Sequence, residues 1–107
     1  MEDNPILTAA LSVAAEHYRI SKEDLKKTLQ PGPGKDKAVI IEARGAFIYM
    51  VTMYGLSIAA AARFIDLNRG NAATYKKKFL DASKFVIQAR LMSRVAARIQ
   101  MAKSPKS

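Results

Sequence analysis

The segment Ser57-Ile58-Ala59-Ala60-Ala61-Ala62-Arg63-Phe64-Ile65-Asp66-Leu67-Asn68-Arg69-Gly70-Asn71-Ala72-Ala73-Thr74-Tyr75-Lys76-Lys77-Lys78-Phe79 holds two short helical patterns separated by a tight turn. Ser57 is a cap for a helix running from Ile58 to Ile65. Asp66-Leu67-Asn68 forms the turn, and Asn68 caps a second helix that runs to Phe79. Two helices so joined pack closely only where their contact positions are small. Ala59 to Ala62 supply that on the first helix, and Ala72 and Tyr75 pack the second helix back onto it. Ile65 and Leu67 bracket the turn and point into the core. Arg69, Asn71, Thr74, Lys76 and Lys78 are then left to face outward. The pattern is that of a helix-turn-helix.

Outward from this segment every element reads as helix, because helix formers dominate and no alternation of β-branched residues is sustained. Toward the N-terminus, Gly55 fits the left-handed position that closes a helix from about Lys37 to Tyr54. That helix buries Val39, Ile40, Ala43, Phe47, Met50, Val51 and Tyr54 in some combination. Before it, Gln30-Pro31-Gly32-Pro33-Gly34-Lys35 is a loop, since two prolines and two glycines interrupt any helix. A short helix precedes the loop, capped by Ser21 with Asp24 three residues on, and turns Leu25 and Leu29 inward. The first helix is capped by Asp3 or Asn4 with Pro5 at its first position. It lays Ile6, Leu7, Ala10, Leu11, Ala14 and Tyr18 on one face. After Phe79, a last helix from about Ala82 to Ala102 turns Phe85, Ile87, Leu91, Val95 and Ile99 to one side. Arg90, Arg94 and Arg98 stack on another. The expected fold is all-α, with five to six helices in one domain over residues 1–102 and a frayed tail at 103–107.

The chain has 107 residues, half of them apolar, which suits one modest core. It lacks cysteine and has a single histidine, His17, so disulfides, thiolate metal sites and all-histidine sites are excluded. No run approaches the roughly 20 apolar residues of a membrane span. The acidic start Met1-Glu2-Asp3 lacks the basic opening of a secretion signal. These features lead us to expect a soluble cytoplasmic protein with no membrane partner and no cofactor. The net charge is +9 and unevenly spread. Residues 1–34 hold four basic and five acidic side chains, whereas residues 35–107 hold fourteen basic and four acidic. One part of the molecule therefore carries a positive field that attracts polyanions.

The outward residues of the second motif helix suit the major groove of double-stranded DNA. Arginine pairs bidentately with guanine and asparagine with adenine, while threonine reaches a base edge or a phosphate. Arg69, Asn71 and Thr74 are thus candidates for base readout. Lys35, Lys37, Lys76, Lys77 and Lys78 are candidates for phosphate contacts. Lys76 to Lys78 occupy consecutive positions, so they spread around the helix and cannot all face one groove.

Further residues carry a family resemblance over about Val13 to Phe79. Val13-Ala14-Ala15-Glu16-His17-Tyr18-Arg19-Ile20-Ser21-Lys22-Glu23-Asp24-Leu25, then Ala43-Arg44 with Ile48-Tyr49-Met50, then Leu56-Ser57-Ile58, follow in order. Together they resemble the C-terminal DNA-binding domain of the bacterial replication initiator DnaA. The resemblance implies a helix-turn-helix in the major groove, a basic side chain from the loop in the minor groove, and a role in replication or transcription control. It adds Arg44 to the DNA-binding set and makes Lys35 and Lys37 the minor-groove candidates. The family's Arg-Asp-His-Thr-Thr signature is replaced here by Arg69-Gly70-Asn71-Ala72-Ala73, so the implied target sequence differs from the family's.

No enzyme is expected. The glycine a phosphate loop needs ahead of Gly34-Lys35 is absent, with Thr28 and Leu29 in its place, and Asp36 follows instead of Ser or Thr. His17 lies near Glu16 and Asp24 without a nucleophile and reads as structural or exposed. Tyr49 and Tyr54 read as core aromatics. The Arg90/Arg94/Arg98 stripe is open to three readings: along DNA phosphates, exposed on an amphipathic helix, or facing an acidic partner. The apolar side of the last helix could pair with a second copy to form a homodimer. Two other functional readings stay open. One is an interaction module that kept the fold and binds a replication initiator or polymerase subunit. The other is a binder of structured RNA.

Overall fold

The computed structural model describes residues 4–26 and 37–103, with the backbone alone at Lys37, Ala82, Ala102 and Lys103. Over these residues the fold is all-α. The helices are α1 (Pro5–Tyr18), α2 (Lys22–Lys26), α3 (Lys37–Met53), α4 (Ile58–Phe64), α5 (Arg69–Phe79) and α6 (Phe85–Lys103), with one 3₁₀ turn at Ala82–Lys84 before α6. Among the described residues no helix is long and apolar enough to cross a membrane. Leu29, the Pro-Gly loop and residues 104–107 lie outside the described residues.

Local chemistry starts the helices where the caps predict. The Asn4 carboxamide oxygen accepts from the Ile6 N–H at 2.8 Å, with Pro5 following it in the first turn. The Ser21 hydroxyl accepts from Asp24 N–H at 3.1 Å, the Ser57 hydroxyl from Ala60 N–H at 3.0 Å, and Asn68 from Asn71 N–H at 2.8 Å. Each satisfies one N–H that the helix itself leaves open.

Three helices end in one device. A residue in the left-handed conformation follows the last turn, and the next N–H reaches back to a carbonyl five residues earlier. After α3 that residue is Gly55 (φ 93°), with Leu56 N–H bonded to Val51 C=O. After α1 it is Arg19 (φ 56°), with Ile20 N–H on Ala15 C=O at 3.0 Å. After α4 it is Asp66 (φ 58°), with Leu67 N–H on Ala62 C=O at 2.8 Å. Gly55 is marked by residue type, and Asp66 more weakly, because aspartate enters this region more readily than most side chains. Arg19 and Asp66 accept a conformation unfavourable for a side chain because packing on both sides holds them there.

The centre of the molecule is α3, which packs against all five other helices. Ala43 to Ile48 are buried without a break, so the helix is covered all round rather than on one face. Val39 and Tyr54, expected in this core, are half-buried at its edge. Ala9 to Ala15 of α1 are likewise continuously buried between α3 and α6. The single face expected for α1 was therefore too narrow, since Ala9, Ser12, Val13 and Ala15 join the core as well.

The last helix also departs from expectation. Leu91, Val95 and Ile99 are buried and Ile87 is half-buried, but Phe85 is 70% exposed. The 3₁₀ turn at 82–84 replaces the first expected turn of the α-helix and carries Phe85 outward. Because Leu91, Val95 and Ile99 fill the chain's own core, that side of α6 is closed to a second copy.

Candidate nucleic-acid interface

The two motif helices form as expected, with four residues, Ile65 to Asn68, between them. Ile65 is fully buried and Leu67 nearly so, which pins the turn to the core from both sides of Asp66. On α4, Ala61 and Ala62 are buried and Ala59 and Ala60 half-buried, which lets α5 approach closely. Ala72 and Phe79 are the buried anchors of α5, and the Phe79 ring lies 5.5 Å from that of Tyr49.

A second contact holds α5 from behind. A Cβ added to Gly45 on α3 would stand 2.4 Å from the Tyr75 carbonyl oxygen. Only the absence of a side chain at Gly45 allows α3 and α5 this separation. Arg44, the next residue, is 6% exposed and points inward. Its Nε donates to Leu25 C=O at 3.2 Å and a terminal nitrogen to Asp24 C=O at 3.0 Å. Tyr75 contributes a further side-chain hydrogen bond, and burial lowers the arginine's pKa against that support. The assignment of Arg44 to a DNA contact is thus corrected. Its guanidinium ties α2 and α5 to α3 and does not reach the surface.

What α5 turns outward follows from its anchors. At 100° per residue, Gly70, Thr74 and Lys77 lie opposite Ala72 and Phe79, with Asn71 and Lys78 on one flank and Arg69 and Ala73 on the other. All seven are exposed, and Lys76 is half-buried. Thr74 donates its hydroxyl proton to Gly70 C=O at 3.1 Å. Toward a ligand it therefore presents a methyl group and an acceptor oxygen. Asn68 caps the Asn71 N–H, which leaves the Arg69 and Gly70 N–H groups at the exposed start of α5.

Two further cations lie on or against α4. Arg63, exposed on the last turn of α4, was missed in the sequence because it reads as the end of an apolar run. The Lys26 ammonium lies 5.0 Å from the Phe64 ring centroid, which seats the end of α2 against α4. Ala38 and Ile41 on α3 share an open groove of about 480 Å³ with Lys78 and Phe79 of α5. Lys35 lies outside the described residues. Lys37 opens α3, and its side chain is not among those described.

The remaining chemistry-bearing residues are used within the fold. Glu42 accepts from Tyr18 Oη at 2.8 Å and from Lys84 Nζ at 2.6 Å, joining α1, α3 and the turn before α6. Burial alone would raise the Glu42 pKa, but the bonds from Lys84 and Tyr18 outweigh it and hold it below the usual value. Burial, and then the Glu42 carboxylate, push the Tyr18 phenol upward. His17 packs edge-on to Tyr18, and burial together with Arg94 and Arg90 lowers its pKa. Arg94 and Arg98 pair with Glu16, the first at 3.0 Å. The acidic partner of this stripe thus lies within the same chain. Among the described residues, no three His, Cys, Asp or Glu side chains come together as a metal-binding group.

No family model, no curated protein and no solved structure matches this chain.

Proposed function

We propose that the chain binds double-stranded DNA without catalysing a reaction, by placing α5 in the major groove. The observation that carries this reading is the division of α5. Ala72 and Phe79 anchor it, while Arg69, Asn71, Thr74, Lys77 and Lys78 stand exposed without an acidic side chain among them. Arginine and asparagine read base edges, and the Thr74 methyl suits the methyl group of thymine. The small Gly70 and Ala73 permit close approach to the groove floor. Arg63, Lys77 and Lys78 supply phosphate contacts, as do the N–H groups of Arg69 and Gly70 at the helix start.

The DnaA-like reading of the loop is part of the same proposal. The described residues that flank it sit against the motif: Lys26 over Phe64 of α4, and Ala38 beside Lys78 and Phe79 of α5. Lys35 and Lys37 lie between those two points in the chain, which suits a contact beside the groove that α5 occupies. A role in replication or transcription control would follow from such binding.

The test is retention of a randomised duplex DNA library by the purified chain at near-physiological salt, followed by sequencing. An enriched motif supports sequence-specific binding. Salt-sensitive retention without a motif leaves phosphate binding alone. No retention overturns the proposal in favour of a protein-interaction module.

A further inference from the structure

Three glycines stand among the described residues, and the fold accounts for two of them. Gly55 adopts a left-handed conformation, and Gly45 has the Tyr75 carbonyl oxygen where a Cβ would be. Gly70 has neither reason. Its φ lies outside the left-handed region, and a Cβ there would meet only Asn68 Oδ1, at an ordinary 3.5 Å. Alanine would fit without displacing anything, and it favours a helix where glycine disfavours one. The second residue of α5 is therefore a glycine at a cost that no contact among the described residues offsets.

Its place on the helix supplies a reason from outside. Gly70 is exposed at the middle of the outward face of α5, opposite Ala72 and Phe79, with Arg69 and Asn71 to either side. One turn on, Thr74 gives its hydroxyl proton to Gly70 C=O at 3.1 Å. This spot therefore offers a ligand the bare Cα of Gly70 beside the Thr74 methyl, with no side-chain donor. One group on the floor of the major groove suits such a surface. The edges of guanine, adenine and cytosine present hydrogen-bonding groups, which would be left unpaired here, whereas thymine adds a methyl group.

We propose, resting on the DNA-binding reading, that Gly70 is a specificity-determining residue whose missing side chain makes room for one thymine methyl. That methyl packs against the Gly70 Cα and the Thr74 methyl. A β-carbon at position 70 would occupy the space it needs and hold α5 off the groove floor.

Gly70→Ala separates this role from a structural one, because the two predict opposite results. The variant should melt about 2–5 °C above the natural chain. It should nevertheless bind the duplex enriched from a randomised library at least about tenfold more weakly, as an overpacked contact does. Replacing each thymine of that duplex in turn by deoxyuridine removes a methyl and keeps every hydrogen-bonding group. One such position should cost the natural chain about fourfold in affinity, the worth of one buried methyl, and cost Gly70→Ala nothing further. A lower melting temperature would assign the glycine to the fold and overturn the inference. So would binding without an enriched motif, unchanged affinity of Gly70→Ala, or deoxyuridine sensitivity that the variant keeps in full. Each of these results leaves the DNA-binding reading standing. Retention of no duplex by the natural chain overturns that reading, and this inference with it.

Discussion

Arg44 and Lys77 are both basic residues of the sequence-derived DNA-binding set, and their surroundings give them opposite roles. Arg44 satisfies two backbone carbonyls at the end of α2. Arg44→Ala would leave those carbonyls unpaired around a cavity, and we expect a loss of about 3 kcal/mol in urea unfolding followed by circular dichroism. Lys77 is exposed on α5, and its removal should leave stability within about 0.5 kcal/mol. Under the proposed function, Lys77→Ala should weaken binding to every duplex alike and reduce the salt slope by about 1. Asn71→Ala should instead change which sequences a randomised library yields. Identical behaviour of the two variants would remove the base-reading role from Asn71. One exposed side chain then separates charge from readout.

Among the elements, the position of α5 depends on a contact outside the motif. α4 meets α5 through alanines, but the back of α5 rests on α3 at Gly45, under the Tyr75 carbonyl. Gly45→Ala would force backbone apart, because the obstructing atom is a carbonyl oxygen and not the end of a flexible side chain. The expected cost is about 2 kcal/mol or more by thermal unfolding. Loss of DNA binding should exceed what the stability change explains, since α5 itself must move. If binding and stability fell together, α5 would be tolerating the shift. The motif is thus a three-helix arrangement in which α3 sets the pose of the helix proposed to enter the groove.

Across the whole molecule, α1, α3 and the turn before α6 meet at a half-buried polar junction of His17, Tyr18, Glu42 and Lys84. Two of its groups contribute to how the fold responds to acid. His17 has a folded pKa below its ordinary 6.5, so the unfolded chain binds its proton first. Stability from this group is lost as pH falls from 6.5 through the lowered value. Glu42 has a folded pKa below its ordinary 4.5, so its contribution is present above 4.5 and is lost as pH falls through the lowered value. Both slopes have the same sign, and melting temperature should fall in two stages from neutral pH to about pH 3. His17→Gln should remove the upper stage, and Glu42→Gln should reduce the lower, which it shares with Asp81, whose carboxyl the Ser83 N–H holds below its ordinary range. An unchanged profile in either variant would exclude that group as the source.

Caps, turns and helix periods were legible in the sequence because they depend on residues within a few positions of one another. Asn4, Ser21, Ser57, Asn68 and Gly55 act on neighbours in the chain, and each does what its type predicts. The small α4–α5 interface and the exposed Arg69, Asn71 and Thr74 were legible for the same reason. Relations between distant residues were not. Nothing local marks Gly45 as the point where α3 meets α5, Arg44 as a buried anchor, or Glu16 as the partner of Arg94 and Arg98. Nor does anything local show that α1 and α3 are covered on every side. Local hydrogen bonding and turn chemistry determined which helices form and where they start. Only the tertiary structure decided which of their faces remain in water, because burial depends on what the rest of the chain brings alongside.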